Sequence, residues 1–581
     1  MDLIINYFKK KHAVLIFLIT FLIYSPLLFN QFIGDDGFII QNNTFYTSWK
    51  NVPRLFENGY ISDSEKIISS RKSKEDFGTG SVSYRPASNF TYFFDYYLFQ
   101  AKPYGSHLIN ILIHCVNSVL VYWIVNQIFS SSILGLFAGL FFSLHPIQSE
   151  AVAVMSYRAD IFATMFVLLS FYFWIRFTQG GHVRRNYYYW SLAMCFFALF
   201  SKESSFMLPL MILLFDQVLI TPRPSLKQKG IYYIGFIPIL IFYLYLYFVV
   251  FPNTSLSFHW LGGTFVNHCL IMGFIWYNYL VNALLPWTVK LIPGLYCPPV
   301  PGIAVTIQIG IALVILIISV WVLWRNYKET CFFLLWYIIF YLPVSNLIPI
   351  ANPMADRFMY LPSIGLLVAV AFFLSRMFKS NYIQDLSQYL SRILYAAVIL
   401  ICVTGTLFLN VDWKSNYNVA YAWVRDYPTA YQGYAFMAKQ YYYAKLYEKA
   451  EEYFEKSIQL GNRQTEDAIG LAECYIYFGK IDKAEGFFKI IISHHTWDDD
   501  IAFLYLGEIY YNQKKNLLAE EVLTKSLALN PNEPLGYIYL MKVYLNLQKI
   551  EAAKNLLGKA NLYLNKKNIS ELRNALENHS K

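Results

Sequence analysis
From Leu15 to Val411 the chain passes repeatedly through apolar stretches of about 17–25 residues, each long enough to cross a bilayer as a helix. They lie near 13–30, 108–128, 132–144, 160–177, 187–200, 205–220, 231–251, 265–286, 303–324, 331–348, 358–375 and 393–411. No water-soluble core hides that much apolar surface. The composition agrees: 56% of the 581 residues are hydrophobic and 14% are charged, where a soluble domain carries roughly 25% charged residues. The chain reads as an all-α, polytopic membrane bundle. Its first stretch follows the basic segment YFKKKH and has no small-residue cleavage site behind it, so it reads as a retained helix and not a signal peptide.

Loop charge orients the bundle. Lys9, Lys10 and Lys11 hold the N-terminus in the cytoplasm, and Lys and Arg cluster again in HVRRN (182–186), TPRPSLKQKG (221–230), WRNYKE (324–329) and RMFKSNYIQDLSQYLSR (376–392). About eleven crossings satisfy that pattern, with 265–286, rich in His, Asn and Tyr, as the segment that does not cross. These loops also account for much of the net charge of +10, so a nucleic-acid partner is not needed to explain it. Seven cysteines without a CxxC pair, most of them inside apolar runs, argue against a disulfide framework or a zinc site.

The composition changes past a linker at 412–426. Ala450, Ala484, Ala519 and Ala553 recur 34 or 35 residues apart. Ala438, Ala472, Gly507 and Met541 stand twelve positions before them, and Tyr441, Tyr475, Tyr510 and Tyr544 nine before. Phe454, Phe488, Leu523 and Leu557 follow four positions after. This small-and-aromatic register is that of tetratricopeptide repeats, paired helices stacked into a solenoid. The expected organisation is therefore a membrane domain over 1–411, with a long first outer loop at 32–106, and a repeat domain over 427–581.

Four polar stretches interrupt the apolar runs, and the charge-derived topology puts them all on the outer face. The first is FIGDDGFIIQNN (32–43). Asp-Gly is ordinary turn chemistry. Yet adjacent acids repel, so one holds its proton more tightly than the other, and a carboxylate at a membrane face can take the proton of a hydroxyl. The second, HPIQSEAVAVMSYRAD (145–160), gathers His145, Glu150, Arg158 and Asp160, although one charge at a helix centre costs roughly 2.5–3.5 kcal/mol on insertion scales. An internal ion pair that pins two helices explains it equally well. The third, SKESS, carries Lys202 and Glu203. The fourth, LPVSNLIPIANPMADRFMYLPSIG (342–365), breaks a helix and presents Arg357, whose planar fork suits phosphate. An arginine snorkelling at a helix end is the plainer account.

Taken together, these stretches resemble the transmembrane, tetratricopeptide-repeat O-mannosyltransferases, members of the C-type (GT-C) superfamily of polytopic glycosyltransferases. The likeness is carried by FIGDDGFIIQNN, SYRPASNFTYFFDYYLF, KPYGSHLINILIHCVN, LHPIQSEAVAVMSYRADIFA, SKESS, LPVSNLIPIANPMADRFMYLPSIG and the repeats after DWKSNYNVAYAW. It implies inverting transfer of a sugar, mannose or another hexose, from a polyprenyl-phosphate donor to a protein Ser or Thr hydroxyl. Asp35 and Asp36 match the family's catalytic acids. The donor side is expected to use Arg158, Arg357, Lys202 and His145, with Glu150, Asp160, Glu203 and Arg85 in support. The repeats would hold the protein acceptor. No cofactor is assigned, and a divalent cation, Mg or Mn, stays open. Heavy use of Lys, Asn, Ile and Tyr suits a bacterial homologue, with the catalytic loops and repeats outside the plasma membrane; in a eukaryote the membrane would be the endoplasmic reticulum. Two other classes compete: a non-catalytic, membrane-anchored scaffold for protein assembly, and a transporter. The second is disfavoured because the charges gather at a membrane edge and not at the midplane.

Overall fold
The computed structural model describes residues 2–57, 84–179, 185–220, 226–250, 260–291, 298–350, 352–376, 384–462, 464–493, 499–564 and 566–579. Much of the first outer loop and parts of three basic loops thus lie outside the described residues. Among the described residues there is no β-strand. The chain divides into two compact units, Met1–Ala422 and Trp423–Lys581, a boundary that falls inside the linker read from composition.

The first unit contains α1 (Asp2–Tyr24), α2 (Pro86–Phe99), α3 (Pro103–Phe129), α4 (Ser132–Leu144), α5 (Ser149–Ala153), α6 (Arg158–Gln179), α7 (Arg185–Leu199), α8 (Leu208–Leu219), α9 (Leu226–Ile234), α10 (Ile237–Tyr245), α11 (Phe265–Leu284), α12 (Ile303–Asn326), α13 (Lys328–Tyr341), α14 (Ser363–Arg376) and α15 (Gln384–Asp412). Six described helices are long and apolar enough to span a membrane alone, and a seventh span arises if α4 and the segment Pro146–Ala153, bent by 52°, act as one. The shortfall from eleven lies largely in α7, α8, α13 and α14, which have 12 to 15 residues each. At about 1.5 Å per residue, such helices stop short of a hydrocarbon core of about 30 Å. Position in the bundle follows from burial. The apolar window of α3 is 67% buried within the protein and that of α12 only 6%, so α3 is central and α12 turns most of its apolar surface outward.

Close approach needs small residues. Gly365 on α14 rests on α13, where an added Cβ would meet Phe333 O and stand 2.6 Å from Tyr337 N. Polar ties fix the same region: His114 on α3 bonds the Tyr360 hydroxyl at 2.6 Å through Nδ1, and Asn117 donates to Ile161 O at 2.8 Å. The first outer loop is ordered where described, as its aromatics suggest. Ile40, Phe45, Tyr46 and Leu55 pack with Tyr92 and Phe93 of α2 and with Met155.

The second unit is built from helical hairpins: Tyr431–Tyr443 with Tyr447–Gln459, Thr465–Tyr477 with Ile481–Ser493, Asp499–Asn512 with Asn516–Leu529, and Pro534–Asn546 with Ile550–Tyr563. Lys566–His579 follows as a final helix. The register read from the sequence is the packing register. Ala450, Ala484, Ala519 and Ala553 are each 0% exposed, and Phe454, Phe488 and Leu523 are buried four positions on.

Candidate active site
The acidic turn follows α1 and the 3-10 helix Ser25–Phe29 that continues it. Gly34 has φ +51°, a left-handed conformation that costs glycine little, and its N–H donates to Asn416 Oδ1 at 2.9 Å. The turn is also held by Gln31 N–H to Lys414 O at 3.0 Å. Asp35 and Asp36 then part company. Asp36 is 0% exposed. Its Oδ1 accepts from Ser156 N–H at 2.6 Å and its Oδ2 from Ile33 N–H at 3.1 Å. It stitches the first loop to the turn before α6. Asp35 is partly exposed, and no described residue hydrogen-bonds its carboxylate. Burial pushes the Asp35 carboxyl up to about 7, with Arg357 opposing and Asp36 adding to the rise. Burial also raises Asp36, to about 6, against the pull of its two N–H donors.

Arg357 stands in a 3-10 turn, Asp356–Met359, after the break that follows α13. It pairs with Glu150 of α5, whose Oε2 also accepts the Arg357 N–H at 2.7 Å. The Tyr157 ring lies 3.8 Å from the guanidinium carbon. A second pair, Lys202 with Asp160, lies beside it, and Phe358 faces both cations at 5.0 and 5.4 Å. Arg85 grips Glu203 through two bonds of 2.6 and 3.1 Å. Exposure rises along the series: the Glu150 and Arg357 side chains are 2% and 7% exposed, Arg85 and Glu203 25% and 34%. Burial opposes ionisation of Glu203, but the Arg85 and Lys202 charges more than reverse it, taking its carboxyl down to about 2. Burial lowers Lys202 despite Asp160.

The structure thus brings together Asp35, Glu150, Asp160, Lys202 and Arg357, with Arg85 and Glu203 at the outer end. It does not bring Arg158 or His145 to that group. Arg158 is sealed in the bundle at 0% exposure. Its five N–H groups go to Asn110 (2.7 Å), Thr91 (3.0 Å), both oxygens of Asp95 (3.1 and 2.9 Å) and Ser106 O (3.3 Å). A guanidinium has five such donors, so none is left for a phosphate. His145 caps the turn after α4, with Nδ1 accepting Ile147 N–H at 3.2 Å and its ring against Phe141. Among the described residues no three His, Cys, Asp or Glu side chains converge as a metal site.

Two carboxyls escaped the sequence reading. Asp95 looked like part of an aromatic helix, though an acid inside FTYFFDYYLF is itself a signal of a buried partner. Asp356 was overshadowed by Arg357 next to it. It is 4% exposed, and its Oδ1 has no partner among the described residues. Burial and the nearby Glu150 charge raise its carboxyl well above the usual range, against the Arg357 charge.

Fold and site define a polytopic membrane protein that gathers acids and cations on the connections between its helices and carries a separate helical-repeat unit. Residues 86–248 match the family described as dolichyl-phosphate-mannose-protein mannosyltransferase. Over 163 residues the chain is 26% identical to the protein O-mannosyl-transferase F38B6.6 of Caenorhabditis elegans, covering 28% of this chain and 22% of that one. It is 30% identical over 164 residues to human protein O-mannosyl-transferase TMTC1 (28% and 18% covered) and 30% over 161 residues to human TMTC3 (28% and 16%). The matches thus span about a fifth of these relatives' lengths. Among solved structures, the crystal structure of the APC/C hetero-tetramer Cut9-Hcn1 aligns with 89% of this chain and 84% of its own at 13% identity and a TM-score of 0.26. Over residues 86–248 the chain is thus similar to the protein O-mannosyl-transferases, in line with the resemblance carried by the sequence stretches above. The matched segment contains Asp95, Glu150, Arg158, Asp160, Lys202 and Glu203, while Asp35, Asp36, Arg85 and Arg357 lie outside it.

Proposed function
We propose that the protein is a membrane glycosyltransferase that moves a hexose, with mannose the first candidate, from a polyprenyl phosphate to a Ser or Thr hydroxyl of a protein. The observation that carries this reading is Asp35: a partly exposed carboxyl that no described residue hydrogen-bonds, poised near neutrality, within electrostatic reach of Arg357. The acceptor O–H passes its proton to the Asp35 carboxylate while the oxygen bonds to the anomeric carbon. The bond from that carbon to the phosphate oxygen breaks, and its electron pair leaves on the polyprenyl phosphate. Attack opposite the leaving group inverts the centre. Arg357 and Lys202 meet the charge that grows on the phosphate, while Asp36 holds the loop that carries Asp35. Loop charge supports placing this site and the repeats outside the cytoplasm, so a reporter that folds only in the cytoplasm should stay inactive when fused after Lys581.

The scaffold reading draws on one observation, the one-to-one pairing of Glu150, Asp160 and Glu203 with Arg357, Lys202 and Arg85. Transfer of labelled mannose from polyprenyl phosphate to protein, in membranes carrying equal amounts of wild type and Asp35→Asn, decides between them. General-base catalysis is typically worth about 10²–10⁴-fold, and the variant should lose that much. Equal transfer by both would leave Asp35 as a turn residue and favour the scaffold.

A further inference from the structure
Around Arg357 the acids outnumber the cations. Arg357 pairs with Glu150 and Lys202 with Asp160, which leaves Asp35 and Asp356 without a countercharge of their own. With all four carboxyls ionised, the group would be net negative and would repel a phosphate. Each unpaired acid that holds its proton removes one of those negative charges, so anion binding is favoured when one of them is neutral. Asp356 is the better placed of the two to stay so. It is more deeply buried than Asp35, no described residue hydrogen-bonds its carboxyl, and it adjoins the arginine in one short turn. The charged and titratable groups around it are Glu150 of α5, Arg357 beside it, and Tyr279 of α11, whose hydroxyl is bonded to the Ala355 backbone. Tyr157 and Asp160 interact with Arg357, and His145 precedes the turn Pro146–Gln148 that packs against this one.

We propose that Asp356 is a further binding residue for the donor phosphate, holding its proton and donating it as a hydrogen bond to a phosphate oxygen beside Arg357. This rests on the glycosyltransferase reading for the identity of the donor, but the binding chemistry is its own. A buried carboxylic acid is one of the few side chains that can donate a bond to an anion without adding charge, and buried polar atoms without a partner carry a penalty that a ligand relieves. Raising the pH reverses the effect: once Asp356 ionises, it becomes an acceptor that repels the phosphate.

The test uses the full chain in lipid nanodiscs and polyprenyl phosphomannose, whose phosphodiester keeps a single charge across the range. Because Asp35 itself changes charge near 7, binding is followed in an Asp35→Asn background. Affinity should fall on the alkaline side there, and Asp356→Asn, which stays neutral and keeps an N–H donor, should bind near the starting affinity at neutral pH and abolish the fall. Asp356→Leu, neutral but without a donor, should hold an affinity about tenfold below the neutral-pH value of the Asp35→Asn parent, the worth of one hydrogen bond to a charged group, and should show no alkaline fall. Full affinity with Asp356→Leu, or an alkaline fall that survives Asp356→Asn, would overturn the assignment. If the leucine variant does not fold, the asparagine comparison stands alone. A wild type that binds in this pattern but transfers no mannose would remove the enzymatic reading while leaving the phosphate site intact.

Discussion
Asp35 and Asp36 are neighbours in sequence and opposites in environment, so their substitutions should separate. A general base works only when ionised. With the Asp35 carboxyl near 7, transfer should climb as the pH rises through about 7 and fall about tenfold per unit below it. Asp35→Asn should remove that rising limb along with most of the activity. Asp36→Asn acts differently, because it places an amide N–H against either the Ser156 or the Ile33 N–H. Leaving one buried donor unpaired costs about 1–3 kcal/mol. Thermal unfolding in detergent should shift down for Asp36→Asn and stay put for Asp35→Asn; the reverse order would exchange the roles. The Arg158–Asp95 pair belongs to the same logic. Both side chains are 0% exposed, and removing one partner of such a pair costs about 3–5 kcal/mol. Asp95→Ala should therefore reduce the folded yield sharply, with no selective loss of donor binding in what remains. The sequence shows that two acids stand together and that an arginine follows a tyrosine. Which acid is free depends on the Ser156 N–H, 120 residues away from Asp36, and which arginine is spent depends on the acceptors Asn110, Thr91, Asp95 and Ser106, 48 to 67 residues before it.

Helices are easier to read from this sequence than spans. An apolar run of the right length announces itself, and nearly every expected apolar segment is helical where described. The number that cross is harder, because polar residues at Ser201–Ser205 and Ser345–Arg357 stop helices that hydropathy alone would continue. Those same interruptions carry Lys202, Glu203, Asp356 and Arg357, so the features that obscure the span count are the ones that build the site. Helix contacts are less legible still. Gly365 looks like any glycine of an apolar run, yet its Cα lies against the α13 backbone. Gly365→Ala should force α13 and α14 apart at a cost of about 1–3 kcal/mol, since overpacking has no slack against main-chain atoms. Gly310 on α12 has nothing within 4 Å of the position of its Cβ. Gly310→Ala should be neutral or gain up to about 1 kcal/mol from helix propensity. Melting temperatures of the two variants in one detergent check the contrast. Equal shifts would mean that α14 does not seat on α13 as described.

A molecule with a membrane unit and a repeat unit can lose one capability without the other, and the repeat register gives a way to test this. Ala484 is 0% exposed on the helix Ile481–Ser493, and the 34- or 35-residue period requires a small residue there. Ala484→Trp adds a ring where two helices touch and should cost about 1–3 kcal/mol within the repeats. In a stacked array each hairpin is stabilised mainly by its neighbours, so the damage should spread along the repeats. Gly486 lies two residues on, with nothing within 4 Å of its Cβ position, and Gly486→Ala on the same helix serves as the control. If the repeats hold the protein acceptor, Ala484→Trp should lower transfer to protein several-fold while polyprenyl phosphomannose binding stays at the wild-type level, and Gly486→Ala should change neither. The measurement pairs transfer to a saturating short Ser/Thr peptide with transfer to intact protein. Selective loss with the intact protein supports capture by the repeats, because a short peptide presents its hydroxyl without needing an extended surface. Parallel loss of donor binding would show instead that the repeats support the fold of the membrane unit, and capture would then need another location.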